Sequence, residues 1–161
     1  MSPLRFARVE SPIGPMWVAE TDAGVAACSR AEALDAFLAP LRRRFAGLEP
    51  MLADIDAGWM EAARQPPVDL GGLPAFDRSV YEAVRAVPSG ETITYGEVAA
   101  LIGSPGAARA VGGAMARCPL FPAVPCHRVV RAADGWSGWG GDSALKRRLL
   151  ASERPARRRR E

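Results

Sequence analysis

The chain has no asparagine, one histidine (His127), one lysine (Lys146) against 20 arginines, and three cysteines in 161 residues. Each scarcity excludes something. Three cysteines at unpatterned spacing do not make a secreted disulfide framework. One histidine and no CxxC pair leave too few ligands for a closed tetrahedral zinc site, so neither metal nor cofactor is expected. No apolar run reaches the ~20 residues of a membrane-crossing helix. The opening MSPLRFARVESPIG lacks the basic-then-apolar order of a signal peptide. A cytoplasmic protein with no membrane partner is expected. The lack of lysine and asparagine reads as genome composition.

The basic pI of about 9.1 is local in origin. Residues 154–161, RPARRRRE, hold five Arg and one Glu, a net of +4 in a chain whose total is +3. The remaining 153 residues are therefore close to neutral. The tail is a like-charge run expected to be disordered, and bulk charge alone is no argument for nucleic-acid binding. That argument has to come from a site.

Residues 4–10 and 16–28 are short extended stretches broken at SPIGP and TDAG, the pattern of a small antiparallel sheet. Residues 31–46 read as a helix with Pro40 as a break or kink, and 52–65 as another short helix. QPPVDLGGLP, 65–74, is rich in Pro and Gly and reads as a linker. The expected organisation is an N-terminal α/β domain at 1–67, a mainly α C-terminal domain at 68–153 and the basic tail at 154–161.

The C-terminal part has sharper signals. Phe76, Val80, Val84 and Val87 recur at helical spacing, and PSG at 88–90 ends that helix. Thr94 and Glu97 form a capping box ahead of VAALI, and Gly103 supplies a stop. Ser104-Pro105 reads as an immediate restart, Ser as N-cap and Pro at the first helical position. Two helices joined by a two- or three-residue turn make a helix-turn-helix candidate. The second, GAARAVGGAMA, groups Ala107, Val111, Ala114 and Met115 on one face, read as core. Arg109, Gly112, Gly113 and Ala116 lie opposite. Each mid-helix glycine costs about 1 kcal/mol relative to alanine. Two together call either for close packing against another helix or for a broad partner, such as a nucleic-acid groove, approaching the backbone. The segment closes with ALKRRLLASE, a final helix ending near Glu153.

PAVPCHRVV, 122–130, sets the only histidine directly after Cys126. A cysteine is a useful nucleophile only as the thiolate, so it needs a partner to take its proton. Side chains of neighbouring residues point apart, which favours a bridging water over direct contact. A histidine base also needs a carboxylate to fix its tautomer, and Glu153 and Asp142 are the candidates. On the dipeptide alone, a structural Cys-His pair and a nucleophile both stand, and a Cys-His hydrolase is the rival enzyme.

GETITYGEVAALIG, SPGAARAVGGAMARCP, PCHRVV, the GWGG segment and LKRRLLASE, in this order and spacing, resemble the alkylguanine-DNA alkyltransferases, or methylated-DNA–protein-cysteine methyltransferases. The match is strong over 74–153 and looser over 1–67. The resemblance implies an enzyme of direct-reversal DNA repair. It would turn O6-alkylguanine, and O4-alkylthymine, out of duplex DNA through the minor groove. The alkyl group would pass irreversibly to its own cysteine, once per molecule. It also implies a monomer. Mapped onto this chain, Cys126 is the acceptor, His127 takes its proton through a water, Glu153 orients His127, and Tyr95 helps turn out the nucleotide and protonate the leaving guanine. Arg109 is the finger that fills the vacated stack. Gly96, Ser104, Ala107, Ala108, Ala110, Gly112, Gly113 and Arg128 join Tyr95 and Arg109 on the DNA side. Met115, Cys118, Val129, Trp139 and Gly140 line the substrate pocket. The chain departs from the family at Cys118, where an asparagine usually braces the turn, at Trp139 for the usual tyrosine and at Tyr81 for the usual tryptophan. The alternative function is a non-enzymatic lesion-binding homologue, a kind that lacks the acceptor cysteine.

Overall fold

The computed structural model describes residues 2–31, 33–62, 64–132 and 143–153. Two units emerge, Met1–Pro74 with Pro119–Ala123, and Ala75–Cys118 with Val124–Glu161. In the first, β1 (Arg5–Val9), β2 (Met16–Thr21) and β3 (Gly24–Ser29) form an antiparallel meander. Ser11 shapes the first turn: its hydroxyl accepts the Ile13 N–H at 3.2 Å and donates to the Gly14 carbonyl at 2.6 Å. Helix α1 (Leu34–Arg44) lays Phe37, Leu38 and Leu41 against Leu4, Phe6, Ala19, Ala26 and Ala27. Pro40 lies within α1 without ending it. Both Pro40 and Ala36 are exposed, so the Ala36 carbonyl, which loses its helical partner, faces water.

Two expectations fail in this unit. The sheet is mixed, not wholly antiparallel: β4 (Met51–Leu52) adds to the free edge of β1 in parallel, giving the order β3-β2-β1-β4. A crossover through α1 brings the chain back alongside β1 in the same direction. The helix expected over 52–65 is absent among the described residues. Met51 and Ala53 donate instead to the Leu4 and Phe6 carbonyls at 2.9 and 3.0 Å. Asp56 then captures the Gly58 N–H at 2.9 Å, a local bond that competes with helix formation.

The Pro/Gly-rich stretch is tied down. Val25 donates to the Pro67 carbonyl at 2.9 Å, and Asp69 donates to the Val25 carbonyl at 2.7 Å. The Arg44 guanidinium donates to the carbonyls of Ala26, Asp69 and Gly71 at 2.6, 3.0 and 3.2 Å.

In the second unit, α2 (Ala75–Arg85), α3 (Tyr95–Leu101) and α4 (Ala108–Ala116) pack on one another, burying Val80, Tyr81, Val84, Val98, Ala99, Val111, Ala114 and Met115. The capping box forms at Thr94 and Glu97. The restart at Ser104 does not. Gly103, at φ +78°, and Ser104 donate to the Ala100 and Ala99 carbonyls at 3.1 and 2.9 Å, a Schellman cap on α3. Ser104 thus completes the cap of α3. Its carbonyl accepts the Ala107 N–H in a turn at 2.9 Å, and α4 opens on Ala107 with no side-chain cap. Six residues, 102–107, separate the helices rather than two or three.

At Gly24, φ is +141°, and a Cβ would stand 2.4 Å from the Pro67 carbonyl carbon and oxygen. Gly24→Ala is expected to lower unfolding free energy by about 2–4 kcal/mol, through backbone strain and loss of the 66–69 docking. Urea denaturation checks it; an unchanged midpoint would refute the close approach.

Candidate active site

Cys126–Arg128 form a single 3-10 turn that leads into β6 (Val129–Val130). Strand β6 pairs in parallel with β5 (Ile93–Thr94), Ile93 opposite Val129 and Thr94 opposite Val130. The pairing joins the turn to the start of α3, where Tyr95 stands. The turn is held tightly, with Cys126 N–H on the Val124 carbonyl at 2.8 Å and Arg128 N–H on the Pro125 carbonyl at 3.0 Å. Cys126 and His127 are both buried.

Helix α5 (Ser143–Glu153) grips the turn from one side. Glu153 Oε1 lies 2.6 Å from His127 Nε2. Arg128 forks onto the same carboxylate, Nη2 to Oε1 at 2.8 Å and Nε to Oε2 at 2.9 Å, while its Nη1 donates to the Val87 carbonyl at 2.8 Å. Burial pushes the Glu153 carboxyl up. The bonds and charges of His127 and Arg128 outweigh it and hold the group down at about 2. Two turns earlier on α5, Lys146 is fully buried and its Nζ donates to the Val129 carbonyl at 2.6 Å.

Hydrogen bonding to Cys118 and burial push the Cys126 thiol pKa up, opposed in smaller part by a backbone hydrogen bond at Cys126 and by the Lys146 charge. At rest, Cys126 is a protonated thiol. Tyr81, wholly buried, donates from its hydroxyl to the Ala114 carbonyl at 2.7 Å. That carbonyl belongs to the last turn of α4, where Cys118 N–H goes to Met115 instead at 3.2 Å, so Tyr81 closes the helix end. Arg117, just past α4, forks onto buried Asp77 of α2 at 3.0 and 3.4 Å.

On the other side of α4, Arg109 and Ala110 are exposed, and Ala107, Ala108, Gly112 and Gly113 are half-buried. A Cβ at Gly112 would meet only the Tyr95 ring at 4.0 Å, an ordinary contact; one at Gly113 would meet only the tip of Arg117 at 3.0 Å. Neither glycine is demanded by backbone-to-backbone packing within the unit. In the same unit Gly96 is exposed and Ser104 half-buried. Arg128, expected on the DNA side, is turned inward: its side chain is 11% exposed, and three of its nitrogens bond Glu153 and Val87. Among the pocket candidates, Val129 and Met115 are buried and Cys118 half-buried. Trp139 and Gly140 lie outside the described residues, as does Asp142. Sequence reasoning missed Lys146 and Asp77. The chain's sole lysine among 20 arginines was the available signal for the first; nothing marked the second. Among the described residues no group of three or more His, Cys, Asp or Glu could hold a metal ion. Among them, too, no helix is long and apolar enough to cross a membrane.

Residues 75–155 match the family model described as 6-O-methylguanine DNA methyltransferase, DNA binding domain. A methylated-DNA–protein-cysteine methyltransferase of Mycolicibacterium paratuberculosis is 38% identical over 158 residues, covering 94% of this chain and 93% of that protein. The chain belongs to the methylated-DNA–protein-cysteine methyltransferase family. Membership makes it a methyltransferase of the DNA-repair class. Its fold agrees. The Mycobacterium tuberculosis OGT in complex with DNA superposes with a TM-score of 0.72 at 31% identity, covering 92% of both chains. The M. tuberculosis O6-methylguanine methyltransferase gives 0.68 at 34%, covering 97% of this chain and 96% of that one.

The Glu153 carboxyl titrates at about 2 in the fold against an ordinary 4.5. The sign follows: stabilisation is complete above about pH 4.5 and is lost as pH falls towards 2, on the order of 3 kcal/mol in all. Glu153→Gln is expected to flatten stability across that window. Acid denaturation of both proteins, followed at several pH values, tests it; parallel curves would sink the assignment.

Proposed function

We propose that this enzyme repairs DNA by direct reversal, flipping O6-alkylguanine, and O4-alkylthymine, from the duplex and moving the alkyl group to Cys126. The observation that carries the reading is the buried sequence Cys126-His127 with His127 Nε2 held 2.6 Å from Glu153. Cys126 begins as a thiol, so its proton has to leave as sulfur attacks. Nε2 faces Glu153, so the proton is taken up at Nδ1 through a water, and the carboxylate stabilises the imidazolium that forms. Sulfur attacks the alkyl carbon, the carbon–O6 bond breaks, and Tyr95 supplies a proton to the departing guanine. The product is a thioether, which no group described here can reverse, so each molecule acts once.

For DNA, α3 and α4 serve as the helix-turn-helix, with a longer turn than usual, and lie in the minor groove. The uncapped N-terminus of α4 offers backbone N–H groups to phosphate. The small side chains of Ala107, Ala108, Ala110, Gly112 and Gly113 let the backbone approach, and exposed Arg109 enters the stack as the base leaves. Gly96 and Ser104 flank that face. Met115, Cys118, Val129, Trp139 and Gly140 surround the flipped base. The protein works as a monomer in the cytoplasm. Base flipping is required because a stacked, paired O6 is out of reach of a buried thiol.

Incubation with excess duplex DNA carrying O6-methylguanine is expected to add one methyl mass, on Cys126 alone, with no turnover. Repeated turnover, or alkylation of Cys28 or Cys118, would overturn the reading. Lesion binding without any added mass would favour the non-enzymatic alternative.

Arg109→Ala is expected to slow repair of duplex DNA by about 10- to 100-fold, the equivalent of roughly 1.4–2.7 kcal/mol. Alkylation by free O6-benzylguanine should stay within about twofold, because no base has to be flipped. Paired single-turnover rates decide; an equal fall in both reactions would make Arg109 structural.

A further inference from the structure

We propose that Arg117 is a second arginine contact to DNA, a phosphate ligand held ready by Asp77; the proposal rests on the repair reading and adds a contact to it. Arg109, Gly113 and Arg117 follow one another at four-residue spacing along one row of α4, Arg117 as its C-cap. The Arg117 side chain folds back along that row. Its Nη1 would lie 3.0 Å from a Cβ at Gly113, so the glycine leaves the room that the guanidinium takes. The charge of Arg117 is thereby brought to about 6 Å along the helix axis from the Cα of Arg109, four residues at ~1.5 Å each. A minor groove is about 6 Å wide. With Arg109 in the groove, Arg117 is placed for its phosphate wall.

The way Arg117 is held separates it from an ordinary surface ion pair. Its Nη2 and Nε fork onto Asp77 at 3.0 and 3.4 Å. The Asp77 side chain is 6% exposed and the Arg117 side chain 61%. An ion pair with one partner in water contributes little stability, and burying the carboxylate costs desolvation. What the arrangement achieves is orientation. One edge of the guanidinium is fixed to α2, while Nη1, in a largely exposed side chain, donates to nothing among the described residues. A fixed, charged fork of N–H donors matches a phosphate better than any neutral acceptor. Anchoring it beforehand removes the rotamer entropy that a free arginine loses on binding. A phosphate contact carries no base information, so it serves damaged and undamaged duplex alike.

The test is the salt dependence of full-length protein binding to an undamaged duplex oligonucleotide, followed by fluorescence anisotropy from about 50 to 200 mM potassium chloride. Wild type and Arg117→Ala both carry the Arg-rich tail, so the difference between their slopes isolates Arg117. Loss of one phosphate contact is expected to make the slope of log K against log salt shallower by about 0.9, so that the variant's deficit shrinks about 3.5-fold over that range. Arg117→Ala leaves Asp77 as an unpaired buried carboxylate. Asp77→Asn/Arg117→Ala, compared with Asp77→Asn, repeats the measurement without that charge. Should neither Arg117 variant fold, wild type decides: duplex DNA is expected to shield Arg117 from phenylglyoxal, read by peptide mass, and equal modification with and without DNA overturns the proposal. Equal salt slopes overturn it as well, making Arg117 a structural partner of Asp77 and leaving the repair reading in place. If wild type binds no duplex at any salt, the repair reading falls and the Arg117 contact with it.

Discussion

One carboxylate determines where the Cys-His turn sits. Glu153 accepts from Arg128 on both oxygens and faces His127 Nε2 on one of them, with its side chain only 16% exposed. An isolated buried carboxylate would be driven towards its neutral form. Two cationic or donor groups on it reverse that, which is why it stays ionised. Helix α5 has little apolar surface with which to dock: of its described side chains, only Leu145 and Lys146 are buried. It is attached by polar ends. Lys146 and Glu153 are seven residues apart, two turns and so one face of the helix, and that face meets residues 127–129 at both ends. The Lys146 bond to the Val129 carbonyl and the Glu153 bonds to His127 and Arg128 therefore act as one clamp. Removing one partner would leave the other as an unmatched buried charge, the costly case for an ion pair.

The clamp leaves Cys126 in a state that its sequence context did not announce. A nucleophilic cysteine is often pictured as a standing thiolate. Here the Cys118 bond and burial favour the thiol, and the Lys146 charge, though nearby, does not overcome them. Under the proposed function a protonated resting thiol suits a protein with one use, because the reactive form would exist only while a base and a substrate are both in place. A thiol is a weak donor and acceptor, so the pairing of Cys118 with Cys126 does not do the bracing work of an amide. The end of α4 is closed from elsewhere, by Tyr81 on the Ala114 carbonyl and by Arg117 on Asp77.

What could be read from the chain follows from how local each signal is. The capping box at Thr94 and Glu97, the stop at Gly103 and the final helix to Glu153 are written within a few residues, and the structure has them. The Ser104 restart was an error of the same local kind: Ser-Pro is a good N-terminal pair, but the Ser104 carbonyl closes a turn on the Ala107 N–H and α4 begins only after it. The parallel strand β4 was not legible, since Met51 and Leu52 are exposed and two residues carry no period. The inward turn of Arg128 was not legible either, because a basic residue beside a candidate site reads as a ligand contact until its partner 25 residues away is in place. Lys146 and Asp77 belong to the same class. A buried charge is recognisable only with its counterpart, and sequence keeps the two apart.

The glycines of α4 remain the strongest sign that this unit is built for something outside itself. Gly112 and Gly113 each cost the helix about 1 kcal/mol relative to alanine. Within the unit an added methyl at Gly112 would only touch the Tyr95 ring, and one at Gly113 would displace only the end of Arg117. Packing inside the fold therefore does not recover what the glycines lose. The uncapped N–H groups at Ala108, Arg109 and Ala110 are a second loss on the same helix, since no side chain closes its first turn. Both deficits lie with Arg109 on the exposed side of α4, away from buried Val111, Ala114 and Met115. A helix that is under-satisfied on one side and well packed on the other is incomplete as a free protein. Under the proposed function the phosphate oxygens of DNA, lying against bare backbone, would complete it on both counts.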